Sequence, residues 1–441
     1  MIRASMKASV ETRSLFWVWF PLALSFTLMM AEAPSTNAIL SRFPESAVQI
    51  AGFGVALGLS LLIESPVIML LATAIALVKG RESFFALMRF VLGLIGGLTL
   101  LTALVAFTPI YDLIANYLLG LPEPVAEAGR GAMQVMLLWT AAIGWRRFLQ
   151  GVLMRYGGAR FVSWGTAIRL VSILTVGIGL LRAGELPGAT VGAWMVMAGV
   201  IVEAIVTTLF VLPILRERVL PHHDTEPVPT QRAIWRFHLP LAGTSLLTLV
   251  VQPMTAGALA RLPQPEIALA SWSVVFGTLL LLRSWGLALQ EATIAVLSQL
   301  SQAHALRRFV RRVAWGTTGA LVLALITPFE GWFMGQVLAL DEALRAPVRA
   351  GLWMCLALPA ITAFSSYLRG ILISARRTPA VSKGMALNLG VNALALVVGV
   401  LIGSRFPNAG ALAGLAVGTI AFQLAGLAEV FYLARVTKKQ V

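Results

Sequence analysis

A few ionisable side chains lie inside long apolar stretches of this sequence, where they could bind an ion or a substrate. Glu64 lies near the middle of the apolar run 46–78, and Pro66 follows it two residues later. Glu32 lies two residues before Pro34 in the preceding run. Inserting an ionised acid near the middle of a membrane-spanning helix costs about 2.5 to 3.5 kcal/mol of free energy, even on the scale that gives the lowest values. Such an acid must therefore be paired, protonated or hydrated. The prolines favour kinks that face protein or a water-filled cavity.

The second half of the chain supplies basic and polar side chains in similar positions. Arg283 takes the place of Glu64 when the sequence is aligned with itself, and Glu291 lies two helical turns further along, close to the same face. The full set of candidates for substrate binding and ion coupling is Glu32, Glu64, Gln252, Arg283, Trp285, Gln290 and Glu291, with Pro34, Pro66 and Pro253 as helix breaks. The set contains no catalytic group and no metal ligand.

Glu64 and Arg283 have two interpretations. We predict that they are energetically coupled and serve a proton or a substrate, because charges inside a membrane are expensive and usually mark a transport pathway. The alternative is a buried pair that only fixes helix packing. Glu32 and Glu64 are candidates for proton coupling, since removal from water favours the protonated carboxylate. For Glu32 the alternative is a hydrogen bond from a neighbouring serine or threonine.

Three further side chains have both a structural and a functional interpretation. Trp285 could stack on a substrate, although a buried tryptophan more often belongs to the core. Glu203 and Arg169 lie in neighbouring apolar runs of the first half. We expect these two residues to pair within that half as a structural contact.

The composition is that of a polytopic membrane protein. Of 441 residues, 58% are hydrophobic and 12% are charged, and the mean hydropathy is +0.85, whereas soluble domains are about 45 to 50% apolar and about 25% charged. The net charge of +15 does not indicate nucleic acid, because the Lys and Arg residues lie in short segments between the apolar runs. No hydrolase triad, phosphate-binding glycine loop or nucleotide site is present, so we expect no enzyme and no cofactor beyond a coupling ion, H+ or Na+.

The apolar runs predict twelve membrane-spanning helices. They lie at 15–41, 46–78, 84–108, 128–154, 160–181, 188–214, 234–260, 266–297, 309–329, 346–374, 380–402 and 410–434. The connecting segments on one side are rich in arginine, which predicts that both termini are cytoplasmic and that the protein lies in the inner (plasma) membrane. A metal site at His222, His223 and Asp224 is a weak alternative to a solvated hinge there, because no second cluster offers further ligands.

The chain is a duplicated half. Placing Pro21 on Pro240 aligns the sequence with itself without a gap; the same register places Gly58 on Gly277 and the segment 148–151 on 367–370. This register is called the repeat alignment below. We predict an N-terminal six-helix bundle at 1–214, a cytoplasmic linker at 215–232 and a C-terminal six-helix bundle at 233–441. The prolines of the linker predict an extended tether. Two copies with an even number of spans are parallel repeats, an arrangement typical of transporters.

Several short segments resemble one family of membrane transporters. Each half opens on Pro-Leu-Ala, at Pro21 and Pro240, and each last span begins with Gly-Ala-x-x-Gly, at 188–192 and 410–414. Together with the two six-span repeats, these features resemble the MATE-like exporters and flippases of the multidrug/oligosaccharidyl-lipid/polysaccharide (MOP) superfamily. The segments 20–22, 51–56, 238–242 and 285–297 resemble most closely the branch of the progressive ankylosis protein (ANK).

The resemblance implies alternating access driven by a proton or sodium gradient. Members of the ankylosis branch are associated with export of anionic metabolites such as citrate, ATP or pyrophosphate, whereas multidrug members export organic cations. This sequence has Glu32 where one multidrug group has an aspartate in its first span, and it lacks the two extra spans of lipid II flippases.

Three functions are compatible with these features. The first is an ion-coupled exporter of a small organic solute, an organic anion or a drug-like compound. The second is a flippase for a lipid-linked oligosaccharide precursor, which would require a strongly basic cavity, whereas the acids here balance the bases. The third is a non-transporting membrane scaffold, which would not explain charges held inside the membrane. The expected partners are a small-molecule substrate and the lipid bilayer but no nucleic acid, and a monomer is expected.

Overall fold

The structure is a computed structural model that describes residues 2–297, 303–375 and 377–438, where every regular element is a helix. The α-helices of the first half are α1 (Ile2–Met30), α2 (Glu32–Leu40), α3 (Ser46–Ile68), α4 (Leu70–Leu77), α5 (Arg81–Phe107), α6 (Ile110–Asp112), α7 (Glu123–Val135), α8 (Trp139–Arg155), α9 (Ala159–Ala183) and α10 (Gly188–Ile214). Those of the second half are α11 (Gln231–Leu249), α12 (Val251–Ala260), α13 (Pro265–Leu297), α14 (Ala303–Ile326), α15 (Phe329–Trp332), α16 (Glu342–Met354), α17 (Leu358–Ser374), α18 (Thr378–Gly403) and α19 (Ala411–Lys438).

The predicted all-helical membrane architecture is confirmed. In the described part of the chain, 10 helices are long and apolar enough to cross a membrane, and α16 with α17, which meet at 45°, make up to 11. The predicted fourth span, 128–154, falls on α7 and α8, two shorter helices joined by the 3-10 segment Met136–Leu138. The count of twelve spans therefore stays a prediction.

The duplication is visible in the positions where helices break. Ala31 separates α1 from α2, and Val250, its counterpart in the repeat alignment, separates α11 from α12. Each break lies three residues before a proline, Pro34 or Pro253. The halves differ in their second spans, because α3 ends just after Pro66 whereas α13 is unbroken. At the position of Pro66 the second half has a tryptophan, which keeps the backbone N–H that proline lacks.

Packing divides the chain into two compact units that differ from the sequence halves. One, here called the terminal unit, combines Met1–Ala38 with Ala258–Val441, and the other, the central unit, is Ile39–Gly257. In the terminal unit, Leu15, Trp19 and Ala23 of α1 share an apolar core with residues of α13 and α14. In the central unit, α11 packs against α3 and α5. The first helix of each repeat, α1 or α11, thus packs against helices of the other repeat.

Equivalent glycines allow equivalent close contacts in each unit. A Cβ atom on Gly151 would lie 2.6 Å from Ala74 Cβ in the central unit, and one on Gly370 would lie 2.7 Å from Thr293 Cβ in the terminal unit. The repeat alignment places Gly151 on Gly370 and Ala74 on Thr293. Absence of a side chain at these glycines lets the fourth span of each half approach the second span closely.

The start of the last span is also capped in the same way in both units. The Gln49 side chain accepts a hydrogen bond from the backbone N–H of Ala189 at 2.8 Å, and Gln264 accepts one from Ala411 at 3.1 Å. These bonds satisfy free N–H groups at the beginnings of α10 and α19. The Gly-Ala-x-x-Gly segments therefore mark two equivalent helix starts.

The linker is docked on the start of α5 and is not the extended tether that its prolines predicted. The Asp224 carboxylate accepts hydrogen bonds from the Ser83 backbone N–H at 2.8 Å and from its hydroxyl at 2.6 Å. Glu82 Oε2 accepts the Asp224 N–H at 2.9 Å, and Glu82 Oε1 lies 2.5 Å from His223 Nδ1. The contacts satisfy free N–H groups of a helix N-terminus, where negative charge is also favourable. Helix capping thus explains this His-Asp segment.

We expect Thr225→Cys in the linker to be labelled by an impermeant maleimide only after the cells are permeabilised, because the positive-inside rule assigns the linker to the cytoplasm. Cys355 is fully buried and is the sole native cysteine, so background labelling is low. Glu185→Cys, in an exposed loop predicted for the opposite side, is the matched control and should be labelled from outside. Labelling of residue 225 in intact cells would overturn the topology.

Candidate functional site

Three polar side chains of the central unit meet at the carboxylate of Glu203, which is fully buried. Arg146 Nη1 donates to Glu203 Oε2 at 2.5 Å, and Gln150 Nε2 donates to Oε1 at 3.2 Å. Arg169 Nη1 lies 3.6 Å from Oε2, so the expected contact of Glu203 with Arg169 is present. Arg146 and Gln150 share one face of α8 because they are four residues apart. This group, the Glu203 cluster, links α8, α9 and α10.

Glu64 lies near the Glu203 cluster but is held much less firmly. The residue is 3% exposed, and the charges that act on its carboxylate belong to Arg146, Arg147 and Arg169. Its Oε2 atom has no hydrogen-bond partner, and the indole of Trp139 lies next to the carboxylate. Glu64 therefore has electrostatic neighbours without the set of hydrogen bonds that fixes Glu203.

Unsatisfied polar atoms are concentrated at this place in the central unit. The buried atoms without a hydrogen-bond partner include Glu64 Oε2, Trp139 Nε1, Arg146 Nε, Arg147 Nε and Gln150 Oε1. Native proteins leave few such atoms, and each one calls for an explanation such as a bound water, ion or ligand. In addition, Arg146, Arg147 and Arg169 act electrostatically on Glu64 here, and two of them lie within 3.6 Å of Glu203. The arrangement suits a negatively charged ligand or a titrating carboxyl group.

The terminal unit contains a second buried carboxylate held from the equivalent helices. Glu429 of α19 is 1% exposed; its Oε1 accepts from Arg369 Nε at 2.6 Å and its Oε2 from Asn388 Nδ2 at 2.9 Å. We call these three residues the Glu429 cluster. In the repeat alignment, Arg369 corresponds to Gln150 and Asn388 to Arg169. In both units the fourth and fifth spans therefore bind an acid of the last span.

The sequence analysis did not single out Arg369 or Glu429. Arg369 could have been found, because it lies in the segment 367–370, which aligns with 148–151. Glu429 gave no such signal, because the repeat alignment places Glu203 on Phe422 instead. The two acids lie at different heights on their helices, and only the packing reveals that they have the same kind of partners.

Arg283 is half-buried in the terminal unit and lies between polar and aromatic groups. Its Nε donates to Thr362 Oγ1 at 2.8 Å, and its guanidinium carbon lies 5.1 Å from the Phe422 ring centroid and 5.9 Å from that of Phe276. Such cation–π contacts contribute about 0.5 to 2 kcal/mol each. None of the ion pairs found among the described residues includes Arg283. It thus presents a positive charge held by neutral groups.

Other candidates of α13 lie close to Arg283 in sequence but differ in exposure. Trp285 is 43% exposed, and its Nε1 donates to Thr27 Oγ1 of α1 at 3.0 Å, so the residue is not part of a buried core. Gln290 is half-buried and Glu291 is exposed. A role of these three residues in substrate binding stays a prediction.

The first-span candidates lie in different units. Glu32 is half-buried at the start of α2, and its backbone carbonyl accepts the hydroxyl of Thr36 at 2.9 Å. Gln252, at the equivalent helix start in the central unit, packs against α3, where a Cβ on Gly58 would lie 3.8 Å from its Cβ. Pro34 and Pro253 are buried. Glu64 and Arg283 also belong to different units, and their predicted energetic coupling stays a prediction.

His238, which the sequence analysis did not single out, holds the break after Pro66 in the central unit. Its ring is 1% exposed; Nε2 lies 3.0 Å from the Pro66 carbonyl oxygen, and Nδ1 lies 2.9 Å from Thr73 Oγ1. Pro66 weakens the helical hydrogen bonding here, and an imidazole that reaches both sides of the break fixes its geometry. The kink two residues beyond Glu64 is therefore supported by α11.

Comparisons with known proteins agree on the fold. A scan of protein-family models finds no match, and a search of the curated proteins also finds none. Among solved structures, an inward-facing multidrug resistance MATE family transporter of the MOP superfamily matches with a TM-score of 0.69 at 12% identity, covering 96% of this chain and 99% of that chain. The lipid II flippase MurJ, in an inward closed conformation, matches with a TM-score of 0.64 at 12% identity, covering 98% and 87%.

A third structure extends this comparison. A MOP superfamily transporter from Pyrococcus furiosus, described by the reverse polarity of its binding pocket, matches with a TM-score of 0.60 at 12% identity, covering 96% of each chain. The chain therefore has a MATE-like fold, as the sequence predicted. These matches do not distinguish the ankylosis branch, which stays a prediction.

Proposed function

We propose that this protein is a secondary active transporter that exports a small organic anion by ion-coupled alternating access. In this proposal Arg283 contacts the anion, and Glu64 carries the coupling proton or binds Na+. The membrane is the inner (plasma) membrane, and both termini are cytoplasmic. The MATE-like fold supports a transporter because the solved structures that share it include transporters in inward- and outward-facing conformations.

The observation that carries the choice of an anion is positive charge without a matching carboxylate. In the terminal unit, Arg283 is held by a hydroxyl and two aromatic rings. A guanidinium group is suited to carboxylates and phosphates, which it binds through two parallel hydrogen bonds. The guanidinium group of Arg283 would repel an organic cation.

The proposal is tested by uptake into proteoliposomes that contain the purified protein. The probes are labelled citrate, a nucleotide and an organic cation such as tetraphenylphosphonium, each with and without a pH gradient and a sodium gradient. We expect uptake of at least one anion to depend on one gradient. Preferential transport of the cation, or no transport of any probe by folded protein, would contradict the proposal.

Arg283→Gln is expected to lower anion transport by about tenfold or more, because a charge-assisted hydrogen bond contributes about 1.5 to 3 kcal/mol and about 1.4 kcal/mol is a factor of ten. Arg405→Gln, which removes an exposed arginine of the same unit, is the matched control and should transport normally. Size-exclusion profiles compare the folding of both variants. Normal transport by Arg283→Gln would remove this residue from the binding site.

The likeness to the lipid II flippase favours a second candidate function, movement of a lipid-linked oligosaccharide precursor. Its phosphates would suit the same arginines. Accessibility of a fluorescent lipid-linked sugar to a membrane-impermeant quencher distinguishes the two functions. Flipping of that lipid without uptake of soluble anions would favour the flippase.

A further inference from the structure

The terminal unit contains an arginine-rich cavity that is separate from the residues proposed for transport. It has a volume of about 760 Å³ and lies among α14, α17 and α19. Its walls are of two kinds, cationic and mainly apolar. The lining residues are Arg307, Arg308, Val310, Arg311, Phe364, Tyr367, Leu368, Val430 and Ala434. This volume is in the range of about 300 to 1,000 Å³ that is usual for small-molecule sites.

The three arginines of this cavity carry charge that no described acid balances. Arg307, Arg308 and Arg311 are exposed, and none of them takes part in an ion pair found among the described residues. The nearby acid, Glu429, is already bound by Arg369. The cavity is therefore strongly positive.

The arrangement is unfavourable for the helix itself. Arg307 and Arg308 are adjacent in the chain, so their positive charges repel each other. Arg311 is four residues after Arg307 and three after Arg308, so like charges lie on one helical face. An anion between them would relieve both effects. Unfavourable local arrangements, such as neighbouring like charges on one helix, occur mainly at functional sites.

The other half of the chain lacks two of these three arginines at the equivalent positions. In the repeat alignment, Arg307 corresponds to Met88, Arg308 to Arg89 and Arg311 to Leu92. At the three positions equivalent to the cavity arginines the first half thus keeps one arginine, and its other basic residues at this helix end, Lys79 and Arg81, lie earlier in the chain. The two additional arginines are specific to the second half.

The apolar wall indicates what kind of anion fits. Phe364, Leu368 and Val430 line the cavity together with the arginines, and Tyr367 adds a hydroxyl group. A phosphate attached to an apolar chain satisfies both kinds of wall, because the guanidinium groups bind phosphate oxygens and the apolar side chains contact the chain. Basic pockets between membrane helices are suited to phospholipid head groups.

We propose that this cavity binds the phosphate group of an anionic membrane lipid at the arginine-rich end of α14. Arg307, Arg308 and Arg311 bind the phosphate, and the apolar wall contacts the lipid chains. By the positive-inside rule, this end faces the cytoplasmic leaflet. The proposal does not depend on the transport function and would survive its failure.

The test is the thermal stability of the full chain, purified in neutral detergent and titrated with short-chain phosphatidylglycerol. We expect saturating lipid to raise the melting midpoint by roughly 5 °C through binding to the folded state. Phosphatidylcholine of the same chain length should not raise it. Inorganic phosphate forms a third arm, which distinguishes a lipid from a soluble phosphate as the source.

Arg307→Gln/Arg308→Gln/Arg311→Gln should lose most of the shift, and Arg308→Gln alone should weaken the apparent affinity about tenfold. Arg232→Gln/Arg236→Gln is the matched control, since these exposed arginines have the same i, i+4 spacing but lie outside the cavity. The single variant keeps the test valid if the triple variant does not fold.

Two results would overturn the proposal. One is equal stabilisation by both lipids, and the other is an unchanged phosphatidylglycerol response in both cavity variants. A response to inorganic phosphate alone, abolished by Arg308→Gln, would retain the phosphate site but reject the lipid as its occupant.

Discussion

Glu203→Gln is expected to destabilise the folded protein by about 3 to 5 kcal/mol, the usual cost of removing one partner of a buried ion pair. Glu203 is fully buried and binds Arg146 at 2.5 Å and Gln150 at 3.2 Å, with Arg169 at 3.6 Å. Without the carboxylate, the arginines remain buried and short of negative charge. Three helices of the central unit lose their common contact.

Thermal melts of detergent-purified protein measure this effect, with size-exclusion profiles as a second readout. Glu185→Gln, which replaces an exposed glutamate of the same half, is the control and should melt like the parent protein. A Glu203→Gln protein with the parent melting midpoint would show that the cluster does not stabilise the bundle.

The equivalent change in the terminal unit, Glu429→Gln, is expected to have a smaller effect in the same assay. Glu429 binds a single arginine, Arg369, whose side chain is 24% exposed, together with the neutral Asn388. Loss of the carboxylate therefore leaves one partly hydrated charge. The expected order is Glu203→Gln more destabilising than Glu429→Gln.

Glu64→Gln is expected to leave the protein folded but to abolish accumulation of substrate driven by an ion gradient. Because Glu64 Oε2 has no hydrogen-bond partner, the isosteric amide disturbs few contacts. The change removes the negative charge among Arg146, Arg147 and Arg169 and also the group that can titrate. If one proton is exchanged per substrate molecule, each unit of pH difference across the membrane supports about a tenfold concentration ratio of substrate. In Glu64→Gln this pH-driven concentration ratio should disappear.

Two transport modes separate coupling from substrate binding. Exchange of labelled for unlabelled substrate without a gradient should continue in Glu64→Gln, because no net ion movement is required. Glu127→Gln, at an exposed position, is the control and should keep both modes. Gradient-driven accumulation at the parent level would exclude Glu64 as the coupling site, and loss of both modes by a folded variant would make it a substrate ligand instead.

Local features of the sequence were sufficient to predict the class of fold. Apolar runs longer than a bilayer is thick can be satisfied only by helices, whose backbone hydrogen bonds are internal. The duplication also carried tertiary information, because equivalent residues keep equivalent contacts, as at Gly151 and Gly370. Likewise, the helix breaks at Ala31 and Val250 coincide in the repeat alignment, before equivalent prolines.

The partners of the buried charges were decided by tertiary packing. The sequence indicated that Glu203 needs a partner and suggested Arg169, but the shortest contact comes from Arg146, on a helix that is not adjacent in the chain. Glu429 was missed because a single acid in an apolar run does not reveal which helix faces it. His238 was not singled out either, yet it holds the break after Pro66.

The sequence by itself determined that this chain crosses a membrane repeatedly, is built from two copies of one half and carries charges inside its spans. Hydropathy and backbone hydrogen bonding act within a segment, so the membrane spans and their charges can be read from each segment alone. The duplication follows from comparing the two halves of the sequence. Only the tertiary structure decided that α1 packs with the second half and α11 with the first, and which arginine binds each buried acid. Those outcomes depend on the fit between surfaces of helices far apart in the chain, and on small residues such as Gly151 that let backbones approach, which no single segment specifies.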